Sequence, residues 1–227
     1  MNRDLEVFKK EVSWFISQED NIIIHNDNHV IELSYLFKKT FPLLTRLISK
    51  ARLLNLTINT QPYILFSWTD KEGNSCGWLN KIEPTNSSKL HLIEEHRLLL
   101  NTIGGIQESY NQPCPSLNNN QNFMFIESEC SIGIDTWDEY YIELCVDDNI
   151  EPSNWNDCLC FAVEANGNLT LYNTKSKEVL LFAHDHCFED VVCLEGQPEY
   201  TFYKIENIDN FTDYVESLAD SWLARLN

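Results

Sequence analysis

Between residues 123 and 205 the chain carries a succession of short aromatic or β-branched runs, at 123–127, 140–146, 159–164, 169–173, 179–183 and 200–205, separated by turn residues. Runs of this length and composition read as strands. Asn166-Gly167 between two of the runs is a two-residue hairpin signal. This part of the chain is therefore restricted to a mainly antiparallel sheet of about six strands.

What precedes it reads mostly as helix. Leu5, Phe8, Val12, Phe15 and Ile16 recur at three- and four-residue spacing, which gives one apolar stripe. A polar turn near residues 21–30 breaks that pattern, and a second helical stretch from Ile31 carries Leu33, Leu36 and Phe37. Pro42 suits the first turn of a new helix, along which Leu43, Leu44, Leu47, Ile48, Ala51 and Leu54 share a face. Runs at 63–68 and 76–79, flanking the turn chemistry of residues 70–74, form a hairpin. Leu90, Ile93, Arg97 and Leu100 mark a further helix that stops at Gly104-Gly105, and residues 111–122 are a loop. Asp209 caps a closing helix with a stripe of Phe211, Val215, Leu218, Trp222 and Leu226. The expected class is α+β: N-terminal helices, the sheet, and a C-terminal helix docked on it. Residues 1–80 read as a helical extension with the start of a β-hairpin, packed on a main domain of residues 81–227.

The charge is unevenly distributed. Of 35 acidic and 16 basic residues, giving a net charge of −19, residues 1–97 hold twelve of each and are neutral. Residues 98–174 hold twelve acids and no Lys or Arg, and residues 175–227 hold eleven acids and four bases. A phosphate-tracking surface needs clustered bases, so nucleic acid and anionic membrane are excluded as partners. An acidic surface suits a basic protein, although net charge also serves solubility alone. The first fifteen residues lack the apolar core of a signal peptide, and no apolar run approaches the ~18 residues of a membrane span. Eight irregularly spaced cysteines fit reduced thiols better than a disulfide framework. The expected compartment is the cytoplasm.

Two constellations bear on function. Residues 134–141 alternate rings and carboxylates, and Trp155 and Asp157 follow. Asp135, Trp137, Asp138, Glu139, Asp147, Asp148 and Asp157 are the candidate partner contacts, with rings to anchor and carboxylates to steer. The competing reading places Trp137 and Tyr141 in the core with the acids facing water. The second constellation is His184-Asp185-His186-Cys187, where two imidazoles with Cys or Asp have the donor chemistry of a zinc site. Its spacing matches no metal module, and a structural strand end is the alternative. No nucleophile elbow, P-loop or dinucleotide fingerprint is present.

Three segments resemble the SUKH superfamily of Smi1/Knr4-like proteins. Residues 98–105, LLLNTIGG, are similar to its helix ending in a Gly-rich turn. Residues 160–173, CFAVEANGNLTLYN, continuing through Val179 to His184-Asp185, resemble its central strands. Residues 208–215, IDNFTDYV, are similar to its closing helix. The resemblance covers about residues 85–227. It implies a non-catalytic immunity protein that needs no cofactor and neutralises a basic toxin, such as a nuclease, by binding. The readings set against it are a small metal-dependent enzyme built on residues 184–187, and a structural or regulatory scaffold whose N-terminal helices pack a second copy.

Overall fold

The computed structural model describes residues 2–26, 30–84, 90–113, 121–185 and 190–226. Along them run six α-helices: α1 (Arg3–Glu11), α2 (Tyr35–Thr40), α3 (Pro42–Ile48), α4 (Glu94–Ile103), α5 (Asp138–Asp147) and α6 (Phe211–Arg225). The strands are β1 (Ile22–Asn26), β2 (Arg52–Ile58), β3 (Gln61–Thr69), β4 (Ser75–Lys81), β5 (Gly105–Tyr110), β6 (Gln121–Met124), β7 (Ser131–Ile132), β8 (Cys158–Glu164), β9 (Leu169–Asn173), β10 (Val179–Phe182), β11 (Val191–Cys193) and β12 (Phe202–Ile205). They form one antiparallel sheet in the order β1-β2-β3-β4-β5-β6-β8-β9-β10-β12-β11, with β7 paired to β8 off that path.

The class is α+β, but among the described residues the sheet has twelve strands rather than about six. The N-terminal part supplies much of the excess. The apolar run that reads as one helix from Leu43 to Leu54 divides: α3 ends at Ile48, and Leu53 and Leu54 belong to β2. There they are both buried on opposite faces of the sheet, because successive strand side chains alternate. The segment expected to be a polar turn contains β1. The boundary between residues 80 and 81 falls inside β4, which pairs with β5 from Gly77↔Tyr110 to Lys81↔Gly105, so a single sheet crosses it. The run at 140–146 is helix, not strand. Asn210 rather than Asp209 caps α6, its side chain accepting from the Asp213 amide.

Both faces of the sheet are covered. On one face α2, α3, α4 and α6 bury the main core, which draws residues from both halves of the sheet, among them Phe66, Trp68, Trp78, Phe161, Tyr172 and Leu181. The opposite face carries two separate caps. Leu5, Phe8 and Val12 of the α1 region seal Leu54, Leu56, Leu65, Leu79 and Tyr110. The α5 region, with Ile134, Tyr141 and Cys145, seals Cys158, Cys160, Leu171, Leu180, Phe182 and Phe202. The α1 cap is pinned by Arg52, which donates to both carboxylate oxygens of Asp4 at 2.8 Å. Ser75 donates to the same carboxylate at 2.7 Å.

In the main core Trp222 of α6 meets Trp68 and Trp78 at ring separations of 5.4 and 5.2 Å. Farther along the core, His96 is fully buried and stacks on Phe211 at 4.8 Å. Its Nε2 lies 2.7 Å from the Phe125 carbonyl, which can only accept, so Nε2 carries the proton. Nδ1 then accepts from the Tyr172 hydroxyl at 3.1 Å, and that hydroxyl in turn accepts from the Ile93 amide. Burial away from water disfavours the charged ring and pulls the His96 pKa down from 6.5 to about 4.

The depressed pKa has a signed consequence. Above pH 6.5 the ring is neutral in both folded and unfolded chains. As the pH falls from 6.5 toward 4 only the unfolded chain takes up the proton, so stability is lost across that window, by about 3 kcal/mol at most. Replacing His96→Gln is expected to lower stability at pH 7 by about 2–3 kcal/mol and to flatten the slope between pH 6.5 and 4. Urea titrations of both proteins across that range measure each effect.

Candidate partner-binding surface

The loop after β7 makes a 3-10 turn at Asp135–Trp137 and leads directly into α5. Tyr141 and Cys145, one turn apart, face inward and are buried. Around the remaining circumference Asp138, Glu139, Ile142, Glu143, Val146 and Asp147 are exposed. On a helix this sets two adjacent ridges side by side: Ile142 with Val146, and Glu139 with Glu143 and Asp147. Ile142 and Val146 are 49% and 65% exposed, which is unusual beside acids on a helix that covers a core.

The seven sequence-predicted contacts lie in and around α5 and before β8, and do not meet at one point. Asp135, Trp137, Asp138 and Glu139 sit at the start of α5, and Asp147 and Asp148 at its end, about 15 Å away for ten residues of helix. Asp157 precedes β8, and Lys175 donates to its carboxylate at 2.6 Å. That pair is exposed, with side chains 75% and 54% accessible, so it contributes little and exchanges readily for another cation. Among the described residues none of the other five carboxylates, nor Glu143, is in an ion pair.

Trp137 is neither free nor fully in the core. Half-buried, it donates through Nε1 to the Gly167 carbonyl at 3.1 Å and stacks on His184 at 4.1 Å. The acidic-aromatic segment and the His184-Asp185 segment are thus parts of one surface. Tyr140 adds to it, its hydroxyl donating to the His184 carbonyl at 3.3 Å. Asn166 donates to Asp185 at 2.9 Å. His186 and Cys187 lie outside the described residues, and among those described no group of three or more His, Cys, Asp or Glu side chains converges on a metal position. Tyr141 serves the core, its hydroxyl donating to Gln197 and accepting from the Ser153 amide.

Sequence reasoning missed Ile142, Glu143 and Val146. Read as a strand, residues 140–146 set Tyr140, Ile142, Leu144 and Val146 on one face. Two acids, Asp138 and Glu139, open the segment, and acids favour a helix N-terminus; that was the signal for a helix. Comparisons with family models, with curated proteins and with solved structures return no match. No helix among the described residues is long and apolar enough to cross a membrane.

Gly167 holds this surface together through its lack of a side chain. Its φ is +95°, and a Cβ there would come 3.0 Å from the Trp137 ring. Gly196 has a φ of +76° but open space around it. Gly167→Ala is expected to cost about 1–2 kcal/mol and to shift the emission of Trp137. Gly196→Ala carries the backbone strain alone and leaves that emission unchanged. Thermal unfolding and tryptophan fluorescence of the two variants test the difference.

Proposed function

We propose that the chain is a non-catalytic binding protein that engages a basic protein partner across the outward face of α5. In keeping with the SUKH resemblance, the partner class is a basic toxin domain, a nuclease being the example whose nucleic-acid cleft is positive. Binding blocks that cleft, and the site of action is the cytoplasm. The supporting observation is the last turn of α5. A helix C-terminus favours cations by about 0.3–1 kcal/mol each, yet this one ends on Asp147 and Asp148 with no base in its final turn. The helix thus breaks a local rule without a cation of its own to compensate. A basic partner would supply the missing positive charge, while Ile142 and Val146 provide an apolar ridge alongside the carboxylates of Glu139, Glu143 and Asp147.

The two ridges have separable roles. Carboxylates steer the encounter, so Glu139→Lys with Glu143→Lys should slow association at least tenfold and weaken its dependence on salt. Ile142→Ser with Val146→Ser should instead speed dissociation. Both pairs are exposed and leave folding intact. Surface plasmon resonance against the basic protein co-purified from the chain's own cells reads both rates. Unchanged binding by the Glu139→Lys/Glu143→Lys variant overturns the proposal.

A further inference from the structure

At the opposite end of the sheet lies a second surface with a different character. β1 is the terminal strand, a run of three isoleucines with β2 on one side. At this end of the sheet residues 30–33, α3 and the start of β2 enclose a groove of about 760 Å³, lined by Val30, Ile31, Leu33, Ile48 and Leu53 together with Glu32 and Lys38. Apolar side chains stand unusually far out around it: Val30 is 84%, Tyr35 82% and Leu36 58% exposed. Ile23, 45% exposed, pairs with Thr57, and so shares a sheet face with Leu53 in the groove. Exposed apolar surface beside an open strand edge is an association site by its chemistry.

We propose that this face binds a second copy of the chain about a two-fold axis. Three observations select that occupant. First, charge restricts how two copies can meet: all of the net −19 lies beyond residue 97, whereas residues 1–97 are neutral, so repulsion is least where the β1 ends approach. Second, the patch is complementary to itself. It holds both a groove and projecting side chains able to fill one, and both an acid and a base, Glu32 and Lys38, exposed and without an ion pair among the described residues. A two-fold axis sets Tyr35 of one copy into the groove of the other and Glu32 against the other copy's Lys38. Third, two identical strand edges related by a two-fold axis run antiparallel, the sense in which every strand of this sheet already pairs. A basic partner, by contrast, finds no excess of carboxylates here. The dimer leaves both α5 faces free at its far ends.

Light scattering of the full chain between about 1 and 100 μM, a range that spans ordinary dimer affinities, should give twice the 26.5 kDa chain mass. Tyr35→Ser should raise the dissociation constant tenfold or more, with the circular dichroism spectrum unchanged since the side chain is solvent-facing. Glu32→Lys alone and Lys38→Glu alone should each weaken the dimer, and the two together in one chain should restore it. Three results overturn the proposal. One is a monomer at the highest concentration. Another is growth beyond a dimer that Glu143→Lys abolishes, which would mean head-to-tail contact with α5. The last is failure of the combined charge reversal to restore what each single one removes.

Discussion

A sheet of twelve strands is stable only if its two halves are tied to each other, and the tie is the burial of one helix across them. α6 has fifteen residues, about 22 Å of length, enough to span between four and five inter-strand spacings of about 4.8 Å, and so five or six strands. Its contacts follow that count. Trp222 meets Trp68 on β3 and Trp78 on β4, and Tyr214 and Phe211 meet Phe161 on β8 and Tyr172 on β9. Polar contacts fix its ends and its middle. Arg225 donates to Asp70 in the β3–β4 turn at 3.1 Å, and Glu216 accepts from the first amides of α3. The ladder itself is thin between the halves, since β5 and β6 register only Ile106 against Met124 among the described residues. Side-chain packing carries what backbone pairing there does not.

The division of labour between the two sheet faces follows from this. One face must be continuous helix to hold the halves together, and its side chains are committed to packing. The other face is closed by two caps whose buried clusters are separate among the described residues. α5 can therefore carry a polar and partly apolar outer surface, since its inner face seals the strands below with Tyr141 and Cys145, joined by Tyr140 and by Ile134 ahead of the helix.

Local patterns were legible in the sequence, and long-range ones were not. The run 169–173 coincides with β9 because Asn-Gly on one side and a polar turn on the other bound it sharply. Gly104, with φ +73°, ends α4 where the glycine pair indicates. The strand count failed because pairing partners far apart in sequence leave no periodicity: β1 and the first residues of β2 are individually too short to outweigh the apolar helical run between them. The helical nature of α5 was hidden by aromatic and β-branched composition, which tertiary packing of Tyr141 and Cys145 overrode. For the candidate site, the acids were visible by composition, and their exposure was not. The pairing of Trp137 with His184, 47 residues apart, had no sequence signature at all.

The order of the elements carries one more consequence, for the chain as it is made. Trp68 and Trp78 leave the ribosome about 150 residues before Trp222 covers them. At common rates of synthesis that is roughly ten to thirty seconds. For that interval the first five strands can pair with one another and with α1, but one face of their sheet has no complete roof. The nascent chain thus leaves these rings uncovered until α6 emerges, and truncation within α6 would make that transient state permanent.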